Sequence, residues 1–325
     1  MYVLLIVRYY LKLFIFQIIM NIKHLVIGGG GPAGVLMYGA LKHLNNNNIW
    51  NLQNIQSIYS TSIGSMLATI LLLNLEWNLI DDYLINRPWD KLFDKYSNNI
   101  LNINNNIGFV NSDIFYEILD PLFKCANVDK NITLLEFYNL NKVNLNIFTT
   151  NINNIELIST QLNYKTYPDL NLITAISMSS SFPILFTPIF YQDKCFIDGG
   201  MINNYPVKNC IKDNNCDEKE ILSFCTNGLL NYNNIILNNK NSIITDLTLL
   251  LITKLVRHAQ YHNELSKYCI IVDKMIDDFD EWYDVIKNKD KRLFLINKGV
   301  NYAEDFLNKL DKLDKLDKLD KLDKL

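Results

Sequence analysis

The sequence lacks the features that mark several large classes of protein. Its formal net charge is -3, so it has no surplus of lysine and arginine to bind a nucleic acid backbone, and no nucleic acid partner is expected. Its six cysteines include no C-x-x-C pair, so their spacing indicates neither a zinc site nor a redox motif. Scattered cysteines in a chain of 325 residues are typical of reduced thiols and therefore of a cytoplasmic protein.

Histidine is also scarce. Two of the four histidines form an H-x-x-x-H pair, but Ala259 stands where a zinc protease requires glutamate. Neither this metal site nor a Ser-His-Asp triad is favoured, and each histidine is expected to be an ordinary packed or surface residue. The four are His24, His43, His258 and His262.

The first 20 residues are apolar, but Arg8 and Lys12 interrupt them. A charge near the centre of a bilayer costs a few kcal/mol, so a membrane-spanning helix is not favoured. A helix lying in the membrane interface remains open, and so does an upstream extension of a chain that starts at Met20. The protein is therefore expected in the cytoplasm, with peripheral membrane attachment left open.

The last residues repeat leucine, aspartate and lysine every three positions. Because an α-helix has 3.6 residues per turn, these leucines wind around the whole helix and form no fixed apolar stripe. A solvated, partly helical tail is expected rather than a coiled coil. The expected domains are an N-terminal extension (1–20), one folded domain (21–306) and a low-complexity tail (307–325).

Short β-branched segments alternate with longer helical patterns in the folded domain. This alternation predicts the α/β class, with helices packed on a mostly parallel sheet. An asparagine-rich stretch at 97–111 is expected to be a surface excursion. Strands are predicted at 22–29, 55–61, 143–150, 194–200, 221–227 and 268–273, and helices at 33–45, 63–73, 112–125, 171–180, 243–265 and 291–309.

A glycine-rich loop follows the first predicted strand. Gly29, Gly31 and Gly34 fit the G-x-G-x-x-G pattern of FAD-binding and NAD-binding domains. A dinucleotide site also requires an acidic residue about twenty positions later, and no Asp or Glu occurs between Gly34 and Glu76. The loop alone leaves two interpretations open, a dinucleotide site and a binding site for the oxyanion of an ester under attack.

A serine lies between the second predicted strand and its helix. Small residues two positions to either side, Ser60 and Gly64, permit the sharp turn that exposes a nucleophilic Ser62. The usual G-x-S-x-G pattern reads S-x-S-x-G here, and an ordinary helix N-cap is the alternative for Ser62. Asp198, followed by Gly199 and Gly200, ends another predicted strand, where a plain turn is the alternative.

These motifs in this order resemble the patatin-like phospholipase family. The resemblance also covers the S-S-x-x-P-x-x-F-x-P type segment that begins at Ser180, "GALKHL" (39–44), "NNYPV" (203–207) and a closing helix in "LINKGVNYAEDFL" (295–307). It implies a three-layer α/β/α sandwich in which residues 21–306 form the catalytic domain. It further implies a lipid acyl hydrolase without a cofactor or metal, whose partners are a lipid or phospholipid substrate and a membrane surface. The oligomeric state stays open.

Carried over residue by residue, the resemblance implies a dyad of Ser62 as nucleophile and Asp198 as general base. The backbone N–H groups of Gly29, Gly30 and Gly31 would form the oxyanion hole. The family usually has arginine or lysine at the position of Ala33, so Ala33 and Ser60 put the level of activity in question. The alternatives are a flavin or nicotinamide protein and a lipid-binding protein with weak or no catalysis. Four apolar side chains are candidates for an acyl groove, although core packing is the simpler role: Phe182, Leu185, Phe186 and Phe190.

Overall fold

The structure, a computed structural model, describes residues 21–97, 108–227, 244–260, 264–273 and 279–322. The predicted N-terminal extension and most of the asparagine-rich stretch lie outside the described residues. No described helix is both long enough and apolar enough to cross a bilayer.

Strands and helices alternate along the described chain. The strands are β1 (His24–Ile27), β2 (Ser57–Thr61), β3 (Gly108–Val110), β4 (Asn144–Asn151), β5 (Ile158–Leu162), β6 (Ile184–Phe186), β7 (Ile189–Tyr191), β8 (Lys194–Asp198), β9 (Ile221–Thr226) and β10 (Cys269–Val272). The helices are α1 (Gly34–Asn46), α2 (Ile63–Leu72), α3 (Trp77–Asn86), α4 (Trp89–Ser97), α5 (Ile114–Cys125), α6 (Leu134–Asn141), α7 (Leu172–Ser180), α8 (Val207–Asn214), α9 (Ile244–Gln260), α10 (Phe279–Lys287) and α11 (Lys289–Leu322).

Eight of these strands form one mostly parallel sheet. Parallel pairing links β10, β9, β1, β2 and β4 in that order, while β5 and β8 pair with β4 in antiparallel orientation and β7 extends β8. The remaining strands, β3 and β6, form a separate two-stranded sheet. The α/β class predicted from the sequence is confirmed.

The pairing of β4 brings two strand ends together. Strand β5 pairs with positions 147–151 of β4, which overlap both the partners of β2 (144–148) and those of β8 (149–151). A strand has only two edges, so β2 and β8 must both lie on the edge opposite β5. They approach it from opposite directions, and their carboxyl ends meet between Phe148, the partner of Thr61, and Thr149, the partner of Asp198.

Helices cover both faces of the sheet. Leu25 and Ile27 of β1 belong to the larger core, which also includes side chains of α1, α2 and α11. Val26, between them, belongs to a smaller core with Val207 and Cys210 of α8. This alternation is the period-2 pattern of a sheet buried on both sides, and it produces a three-layer α/β/α sandwich.

The predicted strands and helices are each present, with shifted ends. The largest difference is in α11, which continues without a break from the closing-helix segment to Leu322. It crosses the predicted tail boundary at residue 307, and Leu307 and Leu310 are buried. The partly helical backbone expected for the tail is therefore observed as far as residue 322. The sequence patterns did not predict α3, α4, α6, α8, α10 or the short strands β3, β5, β6 and β7.

Candidate active site

Ser62 occupies a sharp turn between β2 and α2. Its backbone has φ 55° and ψ -128°, a left-handed conformation that costs a serine of the order of 1–3 kcal/mol. The turn brings α2 against the end of β1, where a Cβ at Gly64 would collide with the carbonyl oxygen of Ile27. The predicted strand-to-helix elbow is therefore present, and only glycine fits at position 64.

Ser60 is accommodated where the usual motif has glycine. Its side chain is fully buried, and its hydroxyl donates to the carbonyl oxygen of Asn146 on the neighbouring strand β4 at 3.3 Å. The extra side chain is therefore hydrogen-bonded within the sheet.

Asp198 and Ser62 are hydrogen-bonded although 136 positions separate them in the chain. The Ser62 hydroxyl donates to Oδ2 of Asp198 at 2.6 Å, and the backbone N–H of Gly200 donates to Oδ1 at 2.6 Å. Only 4% of Asp198 is exposed. Burial raises the pKa of Asp198 to about 6, and the hydrogen bonds from Ser62 and Gly200 limit the rise.

The two glycines after Asp198 fit a crowded turn. A Cβ at Gly199 would collide with the carbonyl oxygen of Phe148, and a Cβ at Gly200 would lie 2.8 Å from Oδ1 of Asn204. The backbone at Gly199 thus packs too closely for a side chain, and Asp198 is not followed by an open surface turn.

Two serines at the end of α7 accept hydrogen bonds from the backbones of Ser62 and Asp198. The backbone N–H of Ser62 donates to the Ser179 hydroxyl at 2.8 Å, and that hydroxyl donates to the carbonyl oxygen of Phe148 at 2.5 Å. The backbone N–H of Asp198 donates to the carbonyl oxygen of Ser181 at 2.9 Å. The motif predicted from the sequence includes Ser181 but not Ser179, for which the run of three serines before Phe-Pro is the available signal.

The glycine-rich loop lies beside Ser62. The N–H of Gly28 donates to Phe224 and that of Gly29 donates to Asn204, both to carbonyl oxygens. Within the described part of the chain, the N–H groups of Gly30 and Gly31 have no acceptor. A Cβ added at Gly29 would lie 3.1 Å from the Cβ of Ser62, so the loop could not approach the serine this closely with a larger residue.

The start of α1 also packs against the turn between β2 and α2 that contains Ser62. A Cβ at Gly34 would collide with the Ile63 side chain. Ala33, where the resemblance leads one to expect a cation, is completely buried.

An apolar cavity of about 200 Å³ opens beside Ser62. Its wall combines the glycine loop and α2 with side chains from α3, α4, α5 and α10. Of the four residues considered for an acyl groove, only Phe186 lines this cavity. Phe182 and Leu185 pack against the core, and Phe190 is 62% exposed.

One charged side chain, Arg292, also lines the cavity. It is buried, and its guanidinium donates to the carbonyl oxygens of Ile85 and Arg87 at the end of α3 and of Val285 and Ile286 at the end of α10. A cation at the carboxyl ends of two helices is electrostatically favourable. Its five N–H donors are all used, so Arg292 joins the helices around the cavity.

The histidines whose side chains are described lie apart from Ser62 and Asp198. Nδ1 of His24 lies 2.7 Å from the Ser57 hydroxyl at the beginning of β1 and β2, whereas Ser62 follows the end of β2, about 16 Å along the strand. His43 is on α1, and the side chains of His258 and His262 are outside the described residues. Among the described residues, no group of three His, Cys, Asp or Glu side chains could hold a metal ion.

Two viral proteins resemble this chain in sequence. The chain is 27% identical over 203 residues to probable lipid hydrolase 463L of Invertebrate iridescent virus 6, covering 61% of this chain and 66% of that protein. It is 28% identical over 188 residues to the uncharacterized protein R571 of Acanthamoeba polyphaga mimivirus, covering 58% of this chain and 61% of that protein. The matched region is thus less than two thirds of the length of either relative.

Solved structures with a similar chain course include VipD from Legionella pneumophila, with a TM-score of 0.47 and 14% identity over 89% of this chain and 67% of that one. ExoU from Pseudomonas aeruginosa, in complex with SpcU, has a TM-score of 0.47 and 17% identity over 89% of this chain and 52% of that one. The model of the patatin-like phospholipase family matches residues 25–211, more than half of the chain. On this match, the chain belongs to the patatin-like phospholipase family.

Proposed function

We propose that the protein is a serine acyl hydrolase that cleaves fatty-acyl esters of phospholipids or related lipids. The observation that carries the proposal is the 2.6 Å hydrogen bond from the Ser62 hydroxyl to buried Asp198, beside an apolar cavity. Family membership supports the choice of acyl transfer over the dinucleotide interpretation of the glycine loop.

In the proposed reaction, Ser62 attacks the ester carbonyl while Asp198 takes the hydroxyl proton. A serine hydroxyl is a weak nucleophile without such a base, and the hydrogen bond already has the orientation needed for the transfer. The protonated Asp198 then gives its proton to the departing alcohol, which leaves an acyl group on Ser62. Water then attacks the acyl-enzyme while Asp198 takes its proton, and Asp198 returns this proton to the Ser62 oxygen as the fatty acid leaves.

The proposed oxyanion hole consists of the N–H groups of Gly30 and Gly31. They are free of other acceptors within the described residues, whereas the N–H of Gly29 donates to Asn204. Gly29 would serve the hole through its size, because it lets the loop lie against Ser62. In other hydrolases the loss of one oxyanion donor costs about 3 kcal/mol in the transition state, so two donors can supply a large part of the rate.

The lipid class of the substrate is supported by the cavity wall. A fatty chain leaving water gains about 0.8 kcal/mol for each buried methylene, and the wall next to Ser62 consists mostly of aliphatic and aromatic side chains. The one charged side chain among the described lining residues, Arg292, has no free donor for a phosphate. We therefore assign the cavity to the acyl chain and not to the head group.

We further propose that the protein works at a membrane surface, through helix α9. Leu247, Leu251 and Leu255 lie one turn apart on one face of this helix and are 39%, 51% and 66% exposed. Lys254 beside them is exposed as well and carries a charge that suits anionic lipid. The helix contacts the turn Gly199–Met201 that follows Asp198, so a bilayer under α9 would lie near the dyad.

The test compares hydrolysis of a short-chain ester and of phospholipid vesicles by wild type, Ser62→Ala and Asp198→Asn. Both variants are expected to lose at least about 1000-fold in kcat. Asp213→Asn is the matched control, because Asp213 accepts hydrogen bonds from the side chains of Tyr59 and Gln161 on the other face of the sheet. Equal rates in wild type and both dyad variants would reject the dyad.

Labelling with a fluorophosphonate distinguishes the rival functions. A colourless protein that is labelled on Ser62 supports the hydrolase, whereas bound flavin would support the dinucleotide interpretation. A protein that binds lipid vesicles but resists the label would be a lipid-binding relative without catalysis.

A further inference from the structure

The serine run at the end of α7 contains one hydroxyl without a partner. Ser179 bonds Ser62 and Phe148, and the Ser181 hydroxyl donates to the carbonyl oxygen of Ser177 at 2.7 Å. Ser180 lies between them, is only 4% exposed, and its hydroxyl has no hydrogen-bond partner among the described residues. A buried hydroxyl left unpaired costs about 1–3 kcal/mol, so such a group in a folded protein calls for an explanation.

The position of Ser180 beside the cavity explains its unpaired hydroxyl. Four described side chains have a buried polar atom without a hydrogen-bond partner, and among these only Ser180 lines the cavity beside Ser62. The other three are His43, Asn144 and Thr150.

Other polar side chains of the cavity wall already donate hydrogen bonds to acceptors within the protein. Tyr38 donates to Asp81 at 2.7 Å, Tyr83 bonds the carbonyl oxygen of Ile118, and Ser62 donates to Asp198. Arg292 uses all its donors on backbone carbonyls. Trp89 donates to the carbonyl oxygen of Leu84 at 3.0 Å. Among the side-chain hydroxyls of the described wall, only that of Ser180 has no hydrogen-bond partner.

We infer that the Ser180 hydroxyl donates a hydrogen bond to the ester group of the bound lipid. This inference rests on the proposed function. The hydrocarbon chain in the cavity offers no acceptor, and the ester held at Ser62 is the polar part of such a substrate that reaches this depth. Ser180 is close to that point, because the adjacent Ser179 bonds the backbone of Ser62. The acceptor is the carbonyl oxygen or the bridging oxygen of the ester.

The test is Ser180→Ala, with Ser177→Ala as the matched control one turn earlier on α7. Ser177 is equally buried, but its hydroxyl donates to the carbonyl oxygen of Ile173 and it does not line the cavity. With a soluble fatty ester, Ser180→Ala is expected to lower kcat/KM by about 10- to 100-fold, the effect of losing one substrate hydrogen bond. Ser177→Ala should stay within about twofold of wild type.

Thermal unfolding separates this role from a structural one. Ser180→Ala removes a buried unpaired hydroxyl, so its midpoint should equal or exceed that of wild type while activity falls. Ser180→Cys, which keeps the shape and a weak donor, is the second variant if the alanine variant does not fold, and should show a smaller loss than Ala would.

Thioesters with the same acyl chain identify the acceptor. A sulfur bridging atom accepts hydrogen bonds poorly, so the loss in Ser180→Ala should shrink with a thioester if the bridging atom is the acceptor, and persist if the carbonyl oxygen is. Wild-type rates in Ser180→Ala, or an activity loss matched by a lower unfolding midpoint, would overturn the inference while leaving the dyad intact. A wild-type protein inactive on every ester would instead overturn the proposed function.

Discussion

At the scale of single residues, the burial of Asp198 controls when the proposed base is available. Asp198 accepts a proton from Ser62 only in its ionised form, and its pKa is raised to about 6 by burial. We predict that kcat/KM for a soluble ester falls about tenfold per pH unit below pH 6 and is level above it. A pH series from 4.5 to 8 measures this, with Asp213→Asn as a control that should show the same profile. An apparent pKa near the ordinary value of 3.8 would contradict the effect of burial.

The same burial means that ionised Asp198 lowers the free energy of unfolding. The folded protein binds the Asp198 proton more tightly than the unfolded chain does, with a pKa of about 6 against an ordinary 3.8. The free energy of unfolding therefore falls as the pH rises from 4 to 6, by roughly 2–3 kcal/mol from this group, and stays low above pH 6.

The Asp198→Asn variant should not show this fall in the free energy of unfolding with rising pH, because an amide does not ionise. We predict that the variant is inactive but more stable than wild type at pH 7, and that its advantage shrinks as the pH falls towards 4. Urea unfolding of both proteins across this range tests the prediction, since the difference between them cancels other titrating groups. A stability difference that does not change with pH would contradict it.

The turn at Ser62 was predictable from its small neighbours, but the acceptance of serine in place of glycine at position 60 was not. The small residues around Ser62 indicated the turn, and the collision at Gly64 explains why one of them must be glycine. The sequence alone could not show that a serine at position 60 would find an acceptor on β4. That acceptor depends on which strand is the neighbour, which is a property of the whole sheet.

At the scale of elements, helix α9 carries the proposed contact with the membrane. We predict that replacing Leu247, Leu251 and Leu255 together by serine weakens sedimentation with anionic phospholipid vesicles by at least about tenfold, because each exposed leucine contributes roughly 1–3 kcal/mol when it enters an apolar phase. Hydrolysis of vesicle phospholipid should fall with it, and hydrolysis of a soluble ester should not.

The control replaces three other exposed apolar residues, Leu140, Leu157 and Ile158, by serine. These lie on or beside α6 and β5, away from α9, and their loss should leave vesicle binding unchanged. If both triple variants bind vesicles as wild type does, α9 is not the membrane contact.

Elements with strong local patterns were predictable, and short ones were not. The buried strands of the main sheet stand out as apolar runs, whereas β3 and β6 have three residues each and are held by pairing with one another. Helix α6 did carry a usable signal, because Thr133 and Glu136 form a capping box at its start. For the helices around the cavity, the positions depend on contacts such as those of Arg292, which join residues far apart in the chain.

At the scale of the whole molecule, the meeting of β2 and β8 on one edge of β4 places Ser62 next to Asp198. No local pattern in the sequence could bring together two residues 136 positions apart. The pairing was expected only from the resemblance to a family, and the structure supplies the physical reason in the register of β4. The run of three serines marks this segment in the sequence, but the hydrogen bond of Ser179 to Ser62 and the unpaired hydroxyl of Ser180 depend on the same assembly and could not be assigned from the run alone.

The first and last described helices meet through two glycines. Helix α11 packs along α1, and a Cβ at Gly299 would collide with the carbonyl oxygen of Leu36, while a Cβ at Gly39 would collide with that of Ile296. The two backbones therefore touch at a distance that only glycine allows. Helix α1 begins directly after the glycine-rich loop. The contact with α11 therefore also helps to fix the position of the proposed oxyanion hole.

We predict that Gly299→Ala destabilises the protein in spite of the better helix propensity of alanine. The propensity gain is about 1 kcal/mol, but forcing a methyl group against the Leu36 carbonyl requires the helices to separate, and such overpacking costs typically 1–3 kcal/mol. Asn301→Ala, an exposed change on the same helix, should be neutral or slightly stabilising and reports propensity alone. Urea unfolding gives the two free energies, and kcat on a soluble ester should fall in Gly299→Ala alone, because the displaced α1 carries the loop with it. A Gly299→Ala protein as stable and as active as Asn301→Ala would show that the contact between α1 and α11 is looser than the structure has it.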